Sequence, residues 1–222
     1  MDALTLTDRE VETLFRRLAE KYPRPDRSGE SAKLQKNPFR SLVSCLLSAQ
    51  SLNSNTAKAT TALFKLARTP KTMLALPDEA IIAAIKPAGL YNNKARNLRR
   101  LCTALVDEHG STVPRTREGL MALPGIGRKC ADIVLQFAYG APVCAVDTHV
   151  HRAANRLGLA RGKTEAKTAE ALEPRIPDWA GHHAHVWLVT FGKRVCTSRA
   201  PKCETCTMSD LCIALKAADH TP

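Results

Sequence analysis

The sequence predicts an all-α fold, on three observations. No stretch sustains apolar–polar alternation over the length of a strand. Apolar residues recur instead at helical spacing, as in Val11, Leu14, Phe15 and Leu18, or Leu42, Val43, Leu46 and Leu47. Residues that start and stop helices bracket those runs: Thr7 with Glu10, Asn37 with Pro38, and Gly110 after a long basic run.

Thr7-Asp-Arg-Glu10 reads as a capping box in which Thr7 and Glu10 each satisfy a backbone N–H of the other, so a first helix runs to about Lys21. Tyr22-Pro-Arg-Pro-Asp-Arg-Ser-Gly-Glu30 then breaks the spacing with two prolines and a glycine, and a domain boundary is expected near Glu30. Asn37 caps and Pro38 opens the next helix, which leaves Gln50 at its end. Asn53 or Ser54 is expected to cap a helix reaching about Ala67. Shorter helices are expected over residues 70–76 and 78–86, then a basic helix opening at Leu90 and ending at Gly110. Further helices fit residues 128–139, 148–157, 164–173 and 182–194, with Trp187, Leu188 and Phe191 as core. No complementary ligand set surrounds His182, His183 and His185, which are read as packing or surface residues.

The chain is organised around Leu120-Met-Ala-Leu-Pro-Gly-Ile-Gly-Arg-Lys-Cys-Ala131, two short helices joined by a tight turn. Pro124 stops the first helix, and Gly125 and Gly127 are expected to allow φ > 0 and to leave no Cβ before an approaching ligand. The N–H groups that open the second helix lack intrahelical partners and sit at the positive end of its dipole, so a phosphate is their natural partner. Pro-Gly-Ile-Gly alone is also an ordinary turn. Leu120, Leu123, Ala131, Ile133 and Val134, which would pack the two helices tightly, make it a helix-hairpin-helix. Lys129 lies in the first turn after the glycines. A helix from there to Tyr139 rises roughly 18 Å, and residues 141–146 return roughly 20 Å if extended. Asp147 is therefore expected beside Lys129, and it is equally a good N-cap for the next helix.

Lys and Arg number 33 against 21 Asp and Glu, a net charge of +12 that points to a polyanionic partner. The distribution supports this. Between residues 80 and 106 there is no acid, yet Lys86, Lys94, Arg96, Arg99 and Arg100 fall there, and Arg128, Lys129, Lys193, Arg194, Arg199 and Lys202 lie near the other motifs. The start lacks the apolar run of a secretory signal and no run approaches a membrane span, so a cytoplasmic protein with no membrane partner is expected. Eight cysteines in a reducing compartment are better read as metal ligands plus core residues than as disulfides. Cys196, Cys203, Cys206 and Cys212 form C-x6-C-x2-C-x5-C, which suits a [4Fe–4S] cluster or structural zinc; the spacing leaves both open. Cys45, Cys102, Cys130 and Cys144 are read as small core residues.

Together these residues resemble the endonuclease III family, bifunctional base-excision DNA glycosylases of the helix-hairpin-helix superfamily. The resemblance spans nearly the whole chain, through Leu47-Ser-Ala-Gln50, Gly89-Leu-Tyr91 with Lys94-Ala95, Leu123-Pro-Gly-Ile-Gly-Arg-Lys129, Val146-Asp-Thr-His149 with Arg152, and the cysteine tail. It implies a six-helix barrel domain over residues 31–141, with the hairpin at about 116–134. It further implies a helical iron–sulfur cluster domain made of residues 1–30 and 142–222, whose loop 196–212 binds [4Fe–4S] through Cys196, Cys203, Cys206 and Cys212. The implied partner is double-stranded DNA containing damaged bases or abasic sites, bound by a monomer across the cleft between the domains.

By the same resemblance the damaged nucleotide is flipped out of the stack, Gln50 and Leu90 fill the gap with Tyr91 beside them, and Gly125, Gly127, Arg128 and Arg199 contact the DNA. Lys129 and Asp147 are the implied catalytic residues: an oxidised pyrimidine leaves through a lysine Schiff base, and β-elimination cleaves the strand 3′ of the abasic site. Asn53 stands where the family usually has Asp, which removes a negative charge facing the DNA, so a shifted lesion preference is expected. A monofunctional adenine-mismatch glycosylase would share the hairpin and the cluster but lack Lys129. A non-catalytic DNA-binding iron–sulfur protein would use Lys129 only to hold phosphate.

Overall fold

The computed structural model describes residues 5–22 and 37–218, so the boundary expected near Glu30 lies outside the described residues. Among them all regular structure is helical. The chain divides into two compact units, one comprising Arg27–Ala141 and the other Met1–Asp26 with Pro142–Pro222.

In the first unit Asn37 accepts a hydrogen bond from the Arg40 N–H at 2.9 Å and Pro38 opens the helix, as the sequence reading expects. With α1 reserved for Asp8–Lys21 of the other unit, the helices here are α2 (Pro38–Ser48), α3 (Asn53–Leu66), α4 (Pro70–Leu74), α5 (Asp78–Ile85), α6 (Tyr91–Asp107), α7 (Arg117–Ala122) and α8 (Arg128–Ala138). Helix α2 packs against α3, α6 and α8, placing Leu42, Val43 and Leu47 in the core with Leu63, Leu98, Leu101, Leu120 and Val134. Two expectations are corrected. Neither Asn53 nor Ser54 caps α3: Leu52 is the N-cap, without a side-chain hydrogen bond, and its carbonyl accepts from the Thr56 N–H at 2.9 Å, so Asn53 is already helical. The basic helix stops at Asp107 rather than Gly110, because Gly110 and Ser111 take left-handed φ values of 55° and 67° in the turn that follows.

The second unit holds α1, α9 (Thr148–Leu157), α10 (Glu165–Leu172), α11 (Ala184–Arg194) and α12 (Ile213–Ala218). Both halves of the Thr7–Glu10 capping box form. Leu14, Phe15 and Leu18 of α1 share a core with Val150 and Leu157 of α9 and Trp187, Leu188 and Phe191 of α11. Arg175 ties the entry of α1 to the end of α9, donating to Leu6 O and, at 2.8 Å, to Leu159 O. His185 is buried with Nδ1 2.7 Å from Ala145 O, and His183 stacks on Trp187 at 5.2 Å between centroids.

Helices α9 and α11 touch most closely at Gly192, where an added Cβ would lie 2.7 Å from His149 O. That neighbour is backbone and cannot swing aside. Gly192→Ala should therefore cost about 1–3 kcal/mol, seen as a lowered midpoint in thermal or urea unfolding. An unchanged midpoint would mean that the two helices slide apart without penalty.

Candidate functional site

Helix α7 ends on Leu123, whose carbonyl accepts from the Ile126 N–H at 3.2 Å across the Pro124-Gly125 turn. Gly125 has φ 79°, the left-handed conformation that glycine adopts without cost. Gly127 differs from the expectation: its φ is −96° and it is the N-cap of α8, a conformation open to any residue. An added Cβ there would meet nothing within 4 Å, so its small size leaves open space at the start of α8. Lys129 is the second residue of α8 and is exposed; among the described residues its ammonium makes no hydrogen bond and no ion pair.

Arg128, next to it, turns back to Asp132 at 3.6 Å. The Asp132 carboxylate is 1% exposed and also accepts from Arg117 Nε at 2.7 Å. Two cations thus neutralise one buried anion and bind α7 to α8, which sets the hairpin angle. Of the cysteines read as core, Cys102 and Cys144 are buried, whereas Cys45 and Cys130, on α2 and α8, are half-buried.

Gln50 and Leu90 are both exposed, and with Ser111 they are the non-glycine residues with positive φ among the described residues, at 50° and 46°. A left-handed leucine costs about 1–2 kcal/mol and needs its surroundings to hold it there. Lys94 supplies part of that hold. Buried in α6, it donates from Nζ to Ala88 O at 2.8 Å, which anchors the turn through Gly89 (φ 68°) into Leu90. Burial lowers the Lys94 pKa, and the carbonyl contact is the ammonium's compensation. Tyr91, half-buried, opens α6 directly after Leu90.

Asp147 belongs to the other unit, where it is half-buried at the N-cap of α9. One oxygen, Oδ1, accepts from the His149 and Val150 N–H groups, both at 2.9 Å. Among the described residues Oδ2 has no protein partner, so capping leaves half of the carboxylate unoccupied.

The four tail cysteines lie in the same unit as Asp147. Cys206 accepts from the Met208 N–H at 3.4 Å, Cys196 accepts from Arg156 Nη1 at 3.7 Å, and Cys212 donates to Arg156 O at 3.4 Å. Burial pushes the Cys206 thiol up, and the Cys212, Cys196 and Cys203 sulfurs push the same way. Among the described residues no group of three or more His, Cys, Asp or Glu side chains is arranged to hold a single metal ion. Arg199 is exposed in the loop between Cys196 and Cys203.

With this geometry established, residues 43–178 match the model of HhH-GPD superfamily base excision DNA repair proteins. The chain is 40% identical over 200 residues to the endonuclease III of Haemophilus influenzae, spanning 90% of this chain and 92% of that protein. It is 42% identical over 176 residues to that of Escherichia coli K12, spanning 79% and 83%. Its fold superposes on a trapped endonuclease III–DNA covalent intermediate, in an estranged-adenine complex, with a TM-score of 0.85 at 35% identity, covering 97% of this chain and all of that one. The chain belongs to the endonuclease III family.

Two arginines that support the tail in this endonuclease III family member were not singled out by sequence reasoning as its scaffold. Arg152 donates to Cys196 O at 2.9 Å and Gly192 O at 2.7 Å, and Arg156 donates to Thr197 O at 2.7 Å and Ser198 O at 3.1 Å. They stand four residues apart on one face of α9, the spacing that could have marked them as a pair. Arg17 adds a bidentate bridge to Asp210, at 2.6 and 2.9 Å, that anchors the tail's far end to α1. Among the described residues no helix is long and apolar enough to cross a membrane.

Proposed function

We propose that this protein removes oxidised pyrimidines from duplex DNA and nicks the strand 3′ of the resulting abasic site, with Lys129 as nucleophile and Asp147 as its catalytic partner. The observation that carries the reading is an exposed lysine without a hydrogen-bond or ion-pair partner among the described residues, placed in the first turn of α8 directly after the glycine turn. A phosphate suits the start of that helix, which would bring the adjacent sugar to the amine. The amine displaces the damaged base at C1′, and the resulting aminal becomes a Schiff base when the sugar ring opens, the C1′–O4′ bond breaking and O4′ taking up a proton. That cation acidifies the C2′ proton, and its loss expels the 3′ phosphate. Asp147 accepts a proton from the lysine and stabilises positive charge developing on the sugar, using the oxygen that the cap leaves unoccupied. Gly125, Gly127 and Arg199 would position the backbone of the double-stranded DNA, which the protein engages as a cytoplasmic monomer. Release of free base from duplexes carrying oxidised pyrimidines, plain abasic sites and adenine mismatches tests this directly. Release of adenine alone would replace the reading with that of a mismatch glycosylase.

Gln50 and Leu90 would occupy the space vacated by the flipped nucleotide, and their left-handed backbones support a task beyond packing. Leu90→Ala should therefore reduce base excision at least tenfold more than it reduces binding to an abasic duplex, where extrusion is already cheap. Equal losses in both assays would make Leu90 merely structural.

Cys196, Cys203, Cys206 and Cys212 would hold a [4Fe–4S] cluster, for which four thiols on one loop with N–H donors to two sulfurs are a suitable ligand set. Once bound, it would supply a clip of iron–thiolate bonds that holds the loop carrying Arg199. Purified protein should be brown, with iron and acid-labile sulfide in about a 1:1 ratio. A colourless protein with one zinc per chain would assign the tail to a structural zinc site.

A further inference from the structure

Leu90 stands 55% exposed at the apex of a turn whose two sides are both fixed. On one side the 3-10 turn Lys86–Ala88 packs against α3 and α5, and Ala88 is buried. On the other, α6 packs against α2, α4 and α5, with Leu98 and Leu101 in the core. Lys94 joins the two sides. Its backbone N–H donates to Leu90 O at 3.0 Å and its Nζ reaches back to Ala88 O at 2.8 Å, so one buried residue grips the carbonyls on either side of Gly89. Between those grips Gly89 takes φ 68° and ψ 167°, a region almost confined to glycine, and Leu90 takes φ 46° and ψ 33°. Crowding does not impose that backbone, because a Cβ added at Gly89 would meet nothing within 4 Å. Two successive residues of positive φ, a protruding leucine and a buried ammonium all oppose stability, and exposing Leu90 gains nothing inside the protein. Backbone strain of this kind persists where the surroundings enforce it, and it gathers at functional positions.

We propose that Lys94 is a positioning residue for base extrusion, stapling the turn at Gly89 so that Leu90 already projects in its gap-filling geometry before DNA arrives. The proposal rests on the reading of Leu90 as a gap-filler. A preformed wedge loses little backbone freedom on entering the stack, so less ordering opposes its insertion. Without the staple the turn relaxes toward ordinary backbone angles, and Leu90 meets the DNA in the wrong place. The loss falls on the step in which a base leaves the stack; an already abasic sugar is cheap to extrude and does not need it.

The test is a double-mutant cycle on the full chain with Leu90→Ala, Lys94→Met and both together. Each protein is assayed at saturating concentration for single-turnover excision of an oxidised pyrimidine and for strand cleavage at a preformed abasic site. Methionine keeps the apolar stem of lysine and removes the donor. Lys94→Met should slow excision about tenfold, cleave the abasic site within about twofold of the parent, and add no further loss in the Leu90→Ala background. The fluorescence of a 2-aminopurine beside the lesion, which rises on unstacking, should be delayed by the same factor as excision, a signature that a general loss of stability would not give. Gly89→Ala disturbs the same turn without crowding anything, and it should reproduce the pattern if Lys94→Met folds poorly. The proposal is overturned if these variants slow excision and abasic cleavage equally, if their effects multiply with that of Leu90→Ala, or if neither slows excision while Leu90→Ala does. The last result leaves the gap-filling reading standing and removes Lys94 alone. Excision at the parental rate by Leu90→Ala would instead sink the gap-filling reading, and this proposal with it.

Discussion

Lys129→Gln should abolish borohydride trapping of the protein on DNA and slow base release by roughly 10⁴-fold. Borohydride reduces a Schiff base to a stable amine, so trapping reports the covalent bond itself rather than affinity. Glutamine keeps most of the length and polarity of lysine at the second position of α8 but has no amine to attack C1′. The substitution removes no intramolecular hydrogen bond or ion pair among the described residues, so stability should stay within about 0.5 kcal/mol of the parent. Binding to an abasic duplex should weaken only modestly, because Gly125 and the other N–H groups at the start of α8 are untouched. The comparison thus separates nucleophile from phosphate contact. A lysine that merely held phosphate would lose binding and excision together, and undiminished trapping in the variant would place the nucleophile elsewhere.

Asp147→Asn should slow excision by roughly 10²–10⁴-fold while leaving the fold and DNA binding in place. Two roles meet on this carboxylate, and the structure allows them to be pulled apart. As an N-cap, asparagine is about as good as aspartate, since its carbonyl oxygen can accept from the His149 and Val150 N–H groups as Oδ1 does now. As a proton acceptor and a negative charge it is no substitute. Asp147→Ala removes both roles and should also cost about 1 kcal/mol of stability through the lost cap. If the Asn variant excises bases at the parental rate while the Ala variant is merely less stable, Asp147 is a cap and nothing more.

Much of the architecture was legible in the sequence because helix signals are local. The Thr7–Glu10 box, Asn37 with Pro38, Asp147 before Thr148 and the apolar spacing of α1 and α2 each act within four residues, and each appears where its residues stand. The hairpin and the four-cysteine tail were readable for the same reason, since each is one short run of chain. Asn53 misled because a good capping residue is no guarantee of a cap: Leu52 takes the extended conformation at that end, and Asn53 falls inside the helix. Gly127 misled in a similar way, its value being space rather than a positive φ.

What only the tertiary structure decided is everything that depends on which faces of distant helices meet. The left-handed backbone at Leu90 is anchored by Lys94 reaching a carbonyl six residues back, an arrangement that burial of α6 imposes and composition does not announce. Arg152 and Arg156 find the backbone of the cysteine loop some forty residues further on. Cys45 and Cys130, which read as core residues, are only half-buried on two helices that pack together, α2 and α8. Local propensity and periodicity specify each helix and the face it buries; the partner that each face meets is settled only when the helices pack.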